Sequence, residues 1–426
     1  MTKQNVPALR LKGFSGEWEN EAVGAFSRLL PHNSLSREQL TDLDTGVSNV
    51  HYGDILVKLT AVTTPDGLPF AKDATQFQHL TGHFLNDGDV VFADAAEDLT
   101  VGKCTELQDI ENKKVVAGLH TIPIHPMRSF GKAFLGYAFN ADSFHNRLIP
   151  RVQGTKVSSI SARTLLETEL SIPPTLEEQQ AIGAIFTNLD AAINQHTLKH
   201  KVLQQAKTAL MQRMFPQEGQ TVPELRLEGF SGEWKPVRLD AFEIKTGPFG
   251  STLHAEDYVA VGTPIVTTEH FKSGQLPDTG DSIPQVSKQD TARLSMYLLD
   301  EGDIVFSRVG SVDINARVTR HQKGWLFSGR VLRLRLDASC DAAFLHSALE
   351  TEQVRTSIIS RAVGQTMPSI NTKILGATEV FIPPTLEEQQ AIGAVFTQLD
   401  TLIAAEAQYI ASLKQAKTAL LQRMFI

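Results

Sequence analysis

The sequence predicts an α+β fold in tandem: two globular domains of mixed α/β structure, each followed by a long helix. Three observations carry this prediction. Segments starting at Ile172 and Ile382 are nearly the same, agreeing at 29 of 44 positions. Those segments hold the alternating three- and four-residue apolar spacing of a coiled-coil seam. The stretches between them break into short strand-like runs punctuated by Gly, Pro, Asn and Asp.

The chain has 426 residues, enough for roughly two to four domains. Hydrophobic residues make up 42% and charged residues 21%, which excludes a disordered chain. No stretch approaches the ~20 apolar residues of a membrane helix. The start, Met1 to Asn5, lacks a basic-then-apolar signal pattern, so the cytoplasm is expected. Cys104 and Cys340 have no metal-site or disulfide-framework spacing. A net charge of −8 disfavours a protein that simply coats DNA.

A second repeated pair opens each half, PALRLKGFSGEW from Pro7 and PELRLEGFSGEW from Pro223, so the chain is a duplication of 1–222 by 223–426. The expected boundaries are a first globular domain at 1–171, a first repeat helix and linker at 172–222, a second domain at 223–381 and a second helix at 382–426. The ends of the repeats match while the middles match only faintly, as in LNDGDVVFADA from Leu85 against LDEGDIVFSRV from Leu299. This contrast implies one common partner for the ends and different ligands for the middles.

Each repeat helix opens on Thr-Leu-Glu-Glu after two prolines. Thr175 is expected to cap the first turn and Glu178 to bond back to the cap, with Thr385 and Glu388 repeating the arrangement. The seam then runs through Ile182, Phe186, Leu189, Ile193, His196, His200, Leu203, Lys207, Leu210 and Met214. Its second copy is Ile392, Phe396, Leu399, Ile403, Glu406, Ile410, Leu413, Lys417, Leu420 and Met424. About 40 residues at ~1.5 Å each give a rod of roughly 60 Å. His196 and His200 read as polar layers of the seam rather than metal ligands.

In the middles, 54–57, 89–92, 303–306 and 330–336 read as strands, and 133–140 and 344–359 as helical pieces. Basic residues cluster locally in each domain. Lys132, Arg151 and Lys156 belong to one run, from Arg128 to Arg163, and Arg308 and Arg317 to the other, from Arg308 to Arg335, and such patches can hold phosphates in an acidic protein. Three small, polar loops suit close approach to a nucleic acid. One offers Gly247, Phe249 and Ser251. Another, 364–371, offers Gln365, Thr366, Ser369 and Asn371, with Arg361 and Lys373 on either side as further DNA-binding candidates, and its counterpart holds Lys156, Ser158 and Ser159. Each of these loops is equally a plain turn.

No phosphate-binding G-x-x-x-x-G-K-[ST], dinucleotide G-x-G-x-x-G or HExxH pattern occurs. The double prolines lack the flanking Asn/Asp and aromatic of an amino-methyltransferase pocket.

Over essentially its whole length the chain resembles the DNA-specificity subunit of type I restriction-modification systems. The carriers are the doubled IPPTLEEQQAIGA helix starts, the ends QAKTALMQRMF and QAKTALLQRMF, and the segments HYGDIL, GDIVFSRVGS and PSINTKIL. The resemblance implies two target-recognition domains, each reading half of a split double-stranded DNA site. It implies that the helices pair antiparallel as a spacer, giving a pseudo-twofold tandem repeat, and dock two methyltransferase subunits, with two motor-nuclease subunits completing the complex. S-adenosylmethionine, ATP and magnesium would then sit on those partners, with no cofactor, metal or catalytic residue in this chain. Ala93-Asp94-Ala95 stands where the second domain has Ser307-Arg308-Val309, a departure that bears on any shared role for Arg308. The competing reading is an adaptor that bridges two enzyme copies without reading DNA.

Overall fold

The computed structural model describes residues 5–79, 82, 84–154, 156–248, 253 and 257–426. The chain forms two compact units, Met1–Thr197 with Gln408–Ile426, and Leu198–Ala407. The first long helix, Leu176–Met214, and the second, Leu386–Met424, each contribute to both units.

The repeated ends build the same frame in each unit. In unit 1, Glu19–Ala22 pairs antiparallel with Glu169–Ile172, the strand that leads into the first long helix. In unit 2, Lys235–Arg238 pairs in the same way with Glu379–Ile382. Thr175 and Thr385 do cap their helices, accepting the backbone N–H of Glu178 at 3.2 Å and of Glu388 at 3.3 Å. The reciprocal half of the capping box is replaced. Arg10 donates to both Glu178 oxygens at 2.7 Å, and Arg226 to both Glu388 oxygens at 2.8 Å. Both carboxylates are only 1% exposed. A two-pronged, charge-assisted guanidinium satisfies such a group better than one backbone N–H does. The same arginines also hold their own loop, Arg10 through the Gly16 and Ser15 carbonyls and Arg226 through those of Gly232 and Ser231.

Glycine inside the long helices costs helix stability, and the packing explains it. A Cβ at Gly183 would collide with the Lys132 carbonyl, and one at Gly393 would lie 2.6 Å from the Phe344 nitrogen. The bare backbone lets each domain's inner helix start directly against the long helix.

The seam follows its predicted register. Ile182, Phe186, Ile193 and Met214 are buried, with Leu189, Leu203 and Leu210 half-buried. In the second helix Ile392, Phe396 and Met424 are buried, with Leu399, Ile403, Leu413 and Leu420 half-buried. Cross-pairs within each unit run antiparallel. In unit 1, Asp190 meets Lys417 and the His196 ring meets Tyr409 at 4.6 Å. In unit 2, Lys199 meets Glu406 and Lys207 meets Asp400. The helix ends enter the domain cores. Phe425 packs on Trp18, Phe134 and Phe186 in unit 1, and Phe215 packs on Trp234, Phe344 and Phe396 in unit 2.

Each domain is a mixed α/β body. Among the described residues of unit 1, a five-stranded sheet has the order Ser27–Leu29, Thr121–Pro126, Val90–Ala93, Cys104–Leu107 and Val62–Thr63, beside a four-stranded sheet. Among the described residues of unit 2 there are two four-stranded sheets; one has the order Glu243–Thr246, Val331–Arg335, Ile304–Ser307 and Asn315–Arg317. Helices Phe134–Phe139 and Ala342–Leu349 pack against these sheets.

Two local expectations fail. Residues 54–57 belong to a helix, Tyr52–Val57, in which the His51 ring accepts the Gly53 N–H at 3.1 Å. Ile55 is buried and Val57 is 84% exposed, which a short apolar run cannot announce. The helical stretch 344–359 is two helices, Ala342–Leu349 and Glu352–Arg361. The Thr351 hydroxyl bonds back to the Ala348 carbonyl at 2.7 Å, and its extended backbone starts the second helix.

Candidate nucleic-acid interface

The two domains present one backbone scaffold with different side chains. In unit 1, Gln153 and Ser159 exchange backbone hydrogen bonds at 3.0 and 2.8 Å and close a loop. In unit 2, Val363 and Ser369 do the same at 2.9 Å each. Gly154 and Gly364 turn these loops at φ +101° and +105°, a region that favours glycine. The loop of unit 1 places Lys156 exposed and Ser158 and Ser159 half-buried. The loop of unit 2 places Gln365 and Thr366 exposed and Ser369 half-buried. Arg151, Arg361 and Lys373 are exposed beside them. The Arg361 guanidinium bonds to the Ala377 carbonyl. Asn371 is already engaged as a helix cap, accepting the Ile374 N–H at 2.8 Å.

Each loop returns along the end of a central strand. The Ile160 N–H donates to the Asp94 carbonyl, and the Ile370 N–H to the Arg308 carbonyl, both at 2.9 Å. Asp94 and Arg308 in turn donate backbone N–H to His120 at 3.1 Å and Arg330 at 2.9 Å. The backbone is therefore equivalent while the charge is reversed. The Asp94 carboxylate lies 3.2 Å from His120 Nδ1, whereas the Arg308 guanidinium bonds to the Gly329 carbonyl at 3.1 Å.

Much of the basic run in unit 2 is engaged internally. Arg333 is buried and donates to Glu243 at 2.7 Å. Burial holds its pKa below the usual arginine value. Arg335 grips both Asp303 oxygens at 2.8 and 2.6 Å, and Lys323 pairs with Asp300 at 2.9 Å. Arg317 is half-buried at the end of its strand. In unit 1 His125 occupies the Arg335 position, with Nδ1 2.6 Å from Asp89, whose carboxyl burial pushes upward.

Gly247 is buried, and a Cβ there would collide with the Ser328 carbonyl, so its glycine serves the chain's own packing. Phe249 and Ser251 lie outside the described residues. Lys132 is exposed, pairs with Asp109 at 2.7 Å and edges a cleft of about 470 Å³ that Glu106 and His125 also line. Burial raises the Glu106 pKa, against the Gly136 and Ala133 N–H groups that donate to its carboxylate at 2.8 Å.

Sequence reasoning missed how each domain is anchored to the long helices. In unit 2, Lys207 bonds to Asp400 at 2.7 Å and to Glu350 at 2.8 Å. Burial lowers the Lys207 pKa, but the two carboxylates outweigh it and the net shift is upward. Behind Glu350 lies half-buried His346, with Nδ1 2.8 Å from the Asn315 amide oxygen. In unit 1, Lys417 bonds to Asp190 at 2.6 Å, and Asp190 accepts the Tyr137 hydroxyl at 2.8 Å. Burial next to Asp190 raises the Tyr137 pKa, which keeps it a donor. The polar seam positions Lys207 and Lys417 were the only trace of these anchors in the sequence.

The sequence profile described as type I restriction modification DNA specificity domain matches residues 84–204 and 231–415. The type I restriction enzyme MjaVIII specificity subunit of Methanocaldococcus jannaschii is 21% identical over 283 residues. That alignment spans 63% of this chain and 63% of the relative's length. Among solved structures, the S subunit of a type I restriction-modification system from M. genitalium aligns over 99% of both chains, with a TM-score of 0.65 at 14% identity. A chain from a study of complex assembly and conformational transition in the type I R-M system aligns over 97% of this chain and 99% of its own, with a TM-score of 0.50 at 18% identity. At these identities the structural likeness speaks for the fold.

Proposed function

The chain belongs to the type I restriction-modification DNA specificity family, and from that premise we propose that it selects the DNA target for an enzyme complex and does no chemistry itself. Each domain reads one half of a bipartite, asymmetric double-stranded site. The long helices set the spacing and dock two methyltransferase subunits, and two motor-nuclease subunits complete the assembly in the cytoplasm. Adenine-N6 methyl transfer from S-adenosylmethionine, and translocation and cleavage driven by ATP with magnesium, are the work of those partners. Half-sites about one helical turn apart leave an unspecified spacer of roughly 5–8 bp.

The observation that carries this reading is the equivalence of Asp94 with Arg308 on one backbone scaffold. An arginine suits the acceptor edge of guanine, whereas a carboxylate suits the amino group of cytosine. Two domains that share a frame but invert charge at such a position are suited to unlike sequences. An adaptor that only bridges enzymes gives no reason for this inversion.

The test is a domain exchange. Residues 27–171 are replaced by the same segment of a relative, the chain is co-expressed with its methyltransferase, and modified adenines are mapped by single-molecule sequencing. One half of the target should change and the other stay intact. If both halves change together, the domains do not read independently; if the wild-type complex modifies without sequence preference, the adaptor reading wins.

A further inference from the structure

The loops that close on Gly154 and Gly364 carry a second shared feature that charge alone does not explain. At the third position after each glycine stands an apolar residue, Val157 in unit 1 and Met367 in unit 2, 54% and 65% exposed. A single exposed apolar residue needs no explanation. Here, however, the loops have diverged around it. Lys156 corresponds to Thr366 and Ser158 to Pro368, yet the apolar character and the exposure persist at the tip. Folding does not require it, since a side chain left in water contributes little burial free energy.

The backbone holds the tip in place. A Cβ on Gly364 would lie 2.7 Å from the Met367 carbonyl oxygen, and one on Gly154 would collide with that of Val157. Each tip carbonyl is therefore packed against the glycine. In unit 2 the Gly310 N–H also donates to the Pro368 carbonyl at 2.8 Å. The tips stand on closed, braced loops.

The electrostatic setting favours one kind of occupant. Between Asp142 and Glu167 there is no acidic residue, while Arg147, Arg151, Lys156 and Arg163 are present. Between Glu352 and Glu379 there is again none, while Arg361 and Lys373 are present beside Arg355, which pairs with Asp313. An apolar tip with exposed cations close in sequence, Arg151 and Lys156 in unit 1 and Arg361 and Lys373 in unit 2, suits a polyanion that also offers apolar features. Double-stranded DNA does so in its major groove, where the C5-methyl group of thymine is the apolar group on the base edges.

We infer that Val157 and Met367 are specificity-determining residues that contact thymine methyl groups, one in each half-site. The inference rests on the proposed reading of DNA by both domains and deepens it: the bases are sorted by an apolar contact as well as by hydrogen bonds.

The test uses the complex of the full chain with its methyltransferase and duplexes carrying the mapped target. Each thymine of both half-sites is replaced in turn by deoxyuridine, which lacks the methyl group, and binding is titrated by fluorescence anisotropy. The wild type should weaken by about fourfold at one or more thymines in each half, the scale of one buried methyl group. Met367→Ser should abolish that sensitivity in the half read by the second domain only, and Val157→Ser in the other half only. Met367→Leu should retain it, and unchanged melting temperatures would show that the variants are folded. A wild type indifferent to every deoxyuridine, or serine variants with the wild-type pattern, would overturn the inference and leave the DNA-reading proposal standing. Serine variants that instead lose capture of the methyltransferase would also overturn it, by making the tips a protein contact. A complex that fails to distinguish target from unrelated duplex would overturn the DNA-reading proposal itself.

Discussion

In unit 1 the long-helix lysine Lys417 meets Asp190, whose other oxygen takes the hydroxyl of Tyr137. In unit 2 its repeat counterpart, Lys207, meets Asp400 together with Glu350, and Glu350 is backed by His346. The lysine and aspartate belong to the repeated helices and are the same in both units. The third group belongs to the diverged domain and differs: Tyr137 lies in the helix Phe134–Phe139, and Glu350 ends the helix Ala342–Leu349. The helices thus offer a constant socket, and each domain brings its own plug. A domain exchanged as a cassette carries its own partner for the lysine, which is how one frame tolerates unlike domains.

The shared part of this comparison should break alike in both units. Arg10→Met strands Glu178, and Arg226→Met strands Glu388, each carboxylate almost fully buried. Leaving a buried charge unpaired costs about 3–5 kcal/mol. Urea unfolding followed by tryptophan emission, with Trp18 in unit 1 and Trp234 and Trp325 in unit 2, should show each loss in the unit that holds the substitution. A loss in one unit and none in the other would mean that the two frames are not equivalent.

The divergent part should break unequally. Lys207→Met leaves two carboxylates, Glu350 and Asp400, without their common cation. Lys417→Met leaves Asp190, which still accepts the Tyr137 hydroxyl. Charge-assisted hydrogen bonds contribute about 1.5–3 kcal/mol each, so the unit 2 variant should lose roughly twice as much as the unit 1 variant in the same assay. Equal losses would show that the third group is a bystander.

The smallest expected difference is in pH dependence. Burial lowers the His346 pKa, Glu350 and Asp400 work against that, and Arg317 and Lys207 add to it. A histidine depressed below its unfolded value of about 6.5 leaves stability intact above that pH and erodes it as pH falls below. Unit 1 has Gly136 at this position. His346→Gln should therefore flatten the fall in unit 2 stability from pH 6.5 to 5, by at most about 1.4 kcal/mol per pH unit, and leave unit 1 unchanged. A steeper fall in the variant would reverse the sign of this argument.

What was legible in the sequence was local and periodic. The two long helices and their seam followed from spacing, because the same side of a helix returns every three to four residues and must find apolar cover. The strands Val90–Ala93, Ile304–Ser307 and Val331–Arg335 followed from composition. The short run 54–57 did not, because three apolar residues after an aspartate fit either a strand or a helix until the surroundings choose. The basic run from Arg308 to Arg335 showed charge without direction. Only the fold turned Arg333 inward to Glu243 and Arg335 onto Asp303, and left Arg361 and Lys373 exposed.

The sequence by itself determined that there are two copies, where each begins and which faces of the helices are apolar. It also revealed that the ends are held constant while the middles diverge, a constancy for which a common partner is the expected reason. Tertiary structure decided a second reason. The constant segments touch one another, Arg10 reaching Glu178 and Arg226 reaching Glu388 across more than 160 positions of chain. Periodicity cannot carry that information, since a pairing over such a distance leaves no spacing to read. It is fixed only when burial removes water from both carboxylates and the guanidinium group of the same unit becomes the partner within reach.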